Sequence, residues 1–198
     1  MKKGLLFLLL LSLTASALAD LSRAERQERL EQALAALRQG DQIWRARIED
    51  DAAGGRVGNL FLQFPGKFLV DYDSGNDILS DGKSLASYRG ASKINDFKLE
   101  EDPLYLVTQG ELGSTLAIEM LALDSLGYYG EDLRVVVADL VLNKERSPKT
   151  RVRLFIRAQG KAELLALGYP TSQGYQKLWL RDFHPVTPKT DPFKRSVL

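Results

Sequence analysis

The stretch Val57-Gly58-Asn59-Leu60-Phe61-Leu62-Gln63-Phe64, then Pro65-Gly66, then Lys67-Phe68-Leu69-Val70-Asp71-Tyr72-Asp73 decides how this chain folds. Apolar residues recur there at every second position, which is the period of a strand, and Pro65-Gly66 interrupts the run with a turn signal. Successive strand side chains point to opposite faces, so Leu60, Leu62 and Phe64 share one face, and Phe68, Val70 and Tyr72 share one face of the next strand. If the strands pair, these six residues form a broad apolar and aromatic surface on the concave side of a sheet. A packed core and a ligand cavity both fit that surface, because any half-buried sheet alternates in this way.

The same period extends in both directions. Segments near Gln42 to Glu49, Lys83 to Arg89 and Ser92 to Leu99 are short and β-rich, and are bounded by Gly54-Gly55, Ser74-Gly75-Asn76, Asp81-Gly82 and Arg89-Gly90. Pro103 opens a brief helical stretch through Leu104 and Leu106, since proline suits the first turn. Strand-like runs resume at Leu116 to Leu123, Leu133 to Leu142, Arg151 to Arg157, Ala162 to Tyr169 and Tyr175 to Phe183, with Asn143 to Lys149 read as a solvated loop. Ahead of the strands, Ser22-x-x-Glu25 has capping-box spacing, and Leu30, Ala33, Leu34 and Leu37 follow at helical spacing until Gly40. The expected fold is α+β: ten to eleven antiparallel strands in one large curved sheet, with an N-terminal helix and a short helical insertion on one side.

The first residues obey a different logic. Lys2-Lys3, the apolar run from Leu5 to Leu13 and the small residues ending Ala17-Leu18-Ala19 are the three parts of a secretory signal peptide, and the run is too short to span a bilayer. Cleavage after Ala19 would divide the chain into a signal, residues 1–19, and one domain, residues 20–198, destined for the periplasm or exterior. Of 27 Lys+Arg and 26 Asp+Glu, only Lys2 and Lys3 lie in the signal, so the mature charge is about −1. Near-neutrality argues against nucleic acid as a partner. Without a single cysteine there is no disulfide, thiolate metal site, cysteine nucleophile or sulfur-linked lipid anchor.

Enzyme chemistry finds little to stand on. His184 is the only imidazole, and it precedes Pro185 at what reads as a strand boundary, so neither a catalytic triad nor a multi-histidine metal site can be assembled. Asp71 to Asp77 faintly resembles a calcium loop but has Gly75 and Asn76 at its fifth and sixth positions and Gly82 at its twelfth, and reads as a polar hairpin turn. Glu100 and Glu101 are adjacent in an extended segment and point apart. We therefore expect a binding protein, not an enzyme, with no metal and no cofactor.

An ordered set of motifs then adds a resemblance. Gly58 through Phe68, Tyr72, Ile78-Leu79-Ser80-Asp81-Gly82-Lys83-Ser84-Leu85, Tyr88, Asp102-Pro103-Leu104-Tyr105-Leu106, Trp179 through Phe183 and Asp191-Pro192-Phe193 together resemble the periplasmic outer-membrane lipoprotein carrier family, LolA. That resemblance implies an incomplete β-barrel around an apolar cavity lined by Leu60, Leu62, Phe64, Phe68, Val70 and Tyr72, with Pro103, Leu104 and Leu106 in a helical lid. It implies a monomer that carries acyl chains of lipoproteins, or a related lipid, from an inner-membrane ABC transporter complex to an outer-membrane acceptor. A lipid-sensing or regulatory domain acting through protein contacts is the alternative on the same fold. Two departures stand out: the family's arginine before the proline is Phe64 here, and a second arginine is Leu69. Phe64 cannot supply guanidinium donors, so a lid would have to be fastened in some other way.

Overall fold

The computed structural model describes residues 20–51, 54–142, 151–172 and 174–194. The proposed signal, residues 1–19, and the loop Asn143 to Lys149 lie outside that set. Eleven strands form a single antiparallel sheet: β1 (Ile43–Asp50), β2 (Arg56–Gln63), β3 (Lys67–Tyr72), β4 (Asn76–Asp81), β5 (Leu85–Arg89), β6 (Ser92–Phe97), β7 (Leu116–Tyr128), β8 (Glu131–Leu142), β9 (Arg151–Arg157), β10 (Leu164–Thr171) and β11 (Gly174–Val186). Their order is β6-β5-β4-β3-β2-β1-β11-β10-β9-β8-β7. Chain neighbours pair throughout, and β1 with β11 joins the two runs. Edges β6 and β7 do not pair, so the sheet is an open half-barrel.

Among the described residues, two helices cover the concave face. α1 (Arg23–Leu37) begins with the expected capping box: the Ser22 amide donates to Glu25 Oε2 at 2.7 Å and the Glu25 amide to Ser22 Oγ at 3.3 Å. It buries Leu30, Ala33, Leu34 and Leu37. α2 (Pro103–Gln109) follows a 3₁₀ turn at Leu99–Glu101 and is only seven residues long. The main core joins both helices to inward residues of the sheet, among them Leu60, Leu62, Phe68, Val136, Leu154 and Leu180. A smaller cluster on the other face joins Leu126, Val135, Val137, Phe155 and Leu165.

Register places the decisive stretch as read: Leu60 faces Val70, Leu62 faces Phe68 and Gly58 faces Tyr72. Four sequence readings need correction. β2 ends at Gln63, so Phe64 belongs to the turn, where its bond to Pro65 is cis, and does not extend the strand face. Asn76–Asp81 is a strand, absent from the segments read as β, because only Ile78 and Leu79 in it are apolar. β7 runs five residues beyond Leu123, through the turn-like Asp124 and Ser125, and stays paired with β8 until Tyr128 meets Glu131. β11 continues past the His184-Pro185 boundary to Val186, with Pro185 opposite Trp44 and a register shift in the β1–β11 pairing near Arg45 and Arg47.

Candidate functional site

A cavity of about 250 Å³ lies between the concave face and the start of α2. Val70 from β3, Ile78 from β4, Leu167 from β10, Leu178 from β11 and Pro103 with Leu104 from α2 give it apolar walls. Asp50, Arg56, Tyr72, Asp102 and Tyr169 add polar groups. A second cavity of about 260 Å³ shares Ile78, Asp102 and Pro103 with it and reaches toward Phe97 and Lys98 beside edge strand β6.

The polar groups are organised around one carboxylate. β1 buries alternate residues, Trp44, Ala46 and Ile48, and the next inward position is Asp50, only 4% exposed. Tyr72 on β3 and Tyr169 on β10 each donate a hydroxyl proton to it, at 2.5 Å to Oδ2 and 2.5 Å to Oδ1. Burial, reinforced by these bonds to an anion, holds both phenols above their ordinary pKa, so they remain donors. Arg56, directly across the ladder from Asp50, places its guanidinium 4.5 Å from the centroid of the Tyr72 ring.

The roof of the cavity is fastened at both ends. Asp102 caps α2 by accepting from the Leu104 amide at 2.8 Å, and Pro103 fills the first turn. Burial raises the Asp102 carboxyl to about 6, against the opposing pull of the Leu104 and Tyr105 amides. Leu104, Leu106, Val107 and Thr108 face inward. At the far end, Arg38, the C-cap of α1, donates from Nη2 to the Gly110 carbonyl, the C-cap of α2. A Cβ on Gly110 would lie 2.4 Å from Leu116 Cδ1, so this corner admits no side chain. Gly66, at φ +69°, sits beneath Tyr105, and its carbonyl accepts from Ser80 Oγ at 2.7 Å.

Of the residues the sequence nominated, Val70, Tyr72, Pro103 and Leu104 line the cavity. Leu60, Leu62, Phe68 and Leu106 are buried in the main core. Phe64 is half-buried in the turn. Asp50, Arg56, Asp102, Leu167, Leu178 and Tyr169 were not nominated as site residues. One signal was available: Asp50 continues the inward alternation of β1, where an acid is out of place. Asp71 to Asp77 forms the β3–β4 hairpin, in which Asp73 is held by Arg47. Among the described residues, no group of three or more His, Asp or Glu is placed to hold a metal ion, and no helix is long and apolar enough to cross a membrane.

Among the described residues, the architecture is an α+β open half-barrel of eleven antiparallel strands with two helices. Among solved structures, an uncharacterized conserved protein from Thermus thermophilus is similar at a TM-score of 0.50 and 14% identity, covering 86% of this chain and 93% of its own. A LolA superfamily protein from Nitrosomonas europaea is similar at 0.47 and 13%, covering 87% and 99%. LprF from Mycobacterium bovis is similar at 0.36 and 12%, covering 85% and 97%. At these identities the likeness is one of fold. No family model matches the chain, and no curated protein matches its sequence.

Proposed function

We propose that this protein is an exported carrier that holds acyl chains of lipoproteins, or of a related lipid, between the half-barrel and α2, and moves them across the periplasm. The observation that supports this reading is the cavity under α2: an apolar concave sheet is roofed there by a seven-residue helix instead of by a fully packed layer. Helices this short are marginal on their own and depend on tertiary contacts, so α2 is held by the burial of Leu104, Leu106 and Val107 and by the Arg38 bond, and lifting it means giving these up.

At about 250 Å³ the cavity falls below the roughly 300–1,000 Å³ typical of ligand clefts. Loading therefore involves displacement of α2, which brings the space beside Phe97 into use. Each methylene taken out of water is worth about 0.8 kcal/mol, so a chain of about fifteen gains on the order of 12 kcal/mol. A membrane offers nearly the same, so the carrier exchanges cargo between apolar surroundings of similar depth. Soft walls of Leu, Val and Ile, with a roof that lifts, suit such exchange.

Native mass spectrometry of the protein purified from the periplasm tests the reading. A bound acylated species is expected, and Ile78→Trp, a half-buried residue lining both cavities, should abolish it while circular dichroism shows the fold retained. A wild-type protein that carries no lipid and takes up no acyl probe would refute it. Depletion in cells should leave acylated proteins in the inner membrane.

A further inference from the structure

We infer that the polar end of the cavity selects a lipid whose head donates hydrogen bonds and carries no negative charge, so that hydroxyl and ammonium heads are accepted and a phosphate head is rejected. This rests on the acyl-chain reading of the same cavity. Val70, Ile78, Leu104, Leu167 and Leu178 offer a tail nothing but dispersion contacts and dryness. The groups available to a head are different in kind.

Two carboxylates, Asp50 and Asp102, line the cavity against one guanidinium, Arg56. They also differ in exposure: Asp50 is buried, while Arg56 is exposed at the strand end and stacks on the Tyr72 ring. Buried charge acts through a lower effective dielectric than charge in water, so the acids dominate the potential inside the cavity. Tyr72 and Tyr169 have committed their protons to Asp50, so what they add on the cavity side is phenolic oxygen, an acceptor. An anionic head entering here would meet like charge in a poorly solvated space. A head carrying O–H or N–H would meet acceptors, and an ammonium would also meet charge of opposite sign. Asp50, Arg56, Tyr72 and Tyr169 stand on β1, β2, β3 and β10, strands of the half-barrel wall, so their part of the preference is set before α2 moves, while Asp102 adds its part from the start of α2.

The test is competition against a fluorescent acyl probe on the whole secreted chain, using ligands of one chain length: a monoacylglycerol, its phosphate ester and a primary alkylamine. The monoacylglycerol and the alkylamine should displace the probe at concentrations about tenfold or more below the phosphate ester, a ratio that a difference of about 1.4 kcal/mol produces. Asp50→Asn should bring the phosphate ester within about threefold of the others. Asp102→Asn provides the same measurement should the first variant not fold. The alkylamine against the monoacylglycerol separates ammonium from hydroxyl recognition. Equal displacement by all three ligands, or a preference unchanged in both variants, would overturn the head-group inference and leave the carrier reading standing. Probe binding by none of the proteins would overturn both.

Discussion

Two helices cover the same concave sheet and do it differently. α1 has fifteen residues, a full capping box and an inward face of Leu30, Ala33, Leu34 and Leu37, and the core beneath it is packed with Trp44, Val136 and Phe183. α2 has seven residues, a cap whose carboxyl is disfavoured as an anion, and a cavity beneath its first turn. The lesson is that one apolar face can serve as foundation and as container, depending on how completely its covering element is tied down. α1 is part of the wall, and α2 is the roof.

The largest way to break that contrast is on the α1 side. Leu30→Ala, at a position with no exposed surface, should lower global stability by about 2–5 kcal/mol in urea unfolding, while lipid bound per folded molecule stays unchanged. A variant that lost lipid binding at unchanged stability would reverse the roles given to the two helices. A smaller and more local effect belongs to the bond between them. Arg38→Ala removes the donor to the Gly110 carbonyl and should raise amide exchange in α2 by about tenfold, with faster probe uptake and only a slight change in melting temperature.

A further effect is a pH dependence of the roof. Asp102 sits at about 6 in the folded chain against 3.8 for the ordinary carboxyl, so the closed form binds its proton more tightly than the open form does. The stability this confers on the closed roof is complete below about pH 4 and is lost as pH rises to about 6. Opening, read by exchange of the Leu104–Val107 amides, should therefore become easier across that window and level off above it. Asp102→Asn should flatten the profile. A roof that loosened on acidification would contradict the assignment of burial as the dominant influence on this carboxyl.

How much was legible beforehand follows from which signals are local. α1, the β2–β3 pair and the proline-led α2 were readable because capping, alternation and turn residues all act within a few positions. β4 escaped because Asn76, Asp77, Ser80 and Asp81 surround only two apolar residues, and its strand character comes from pairing with β3 and β5 on both sides. The far half of β7 escaped for the same reason: Asp124, Ser125 and Gly127 look like a turn, yet the partner strand holds them extended. The polar centre of the site was the hardest to see, because Asp50, Tyr72 and Tyr169 lie on strands separated by up to 119 positions. The fastening of the roof was also distant, with Arg38 reaching the Gly110 carbonyl 72 positions along the chain.

The Asp50 contacts also say something mechanical. In the sheet order, β3 lies two strands from β1 on one side and β10 two strands from it on the other. Strands two apart in a flat sheet are roughly 10 Å from each other. Tyr72 and Tyr169 close that distance from opposite sides onto a single carboxylate, acting as a chord drawn across the arc of the sheet. Flattening the arc would strip both tyrosine hydrogen bonds from the buried Asp50 carboxylate at once, so the curve is braced beside the cavity. Space under α2 cannot then be gained by spreading the strands there, so any enlargement of the cavity would have to come from the short helix above them.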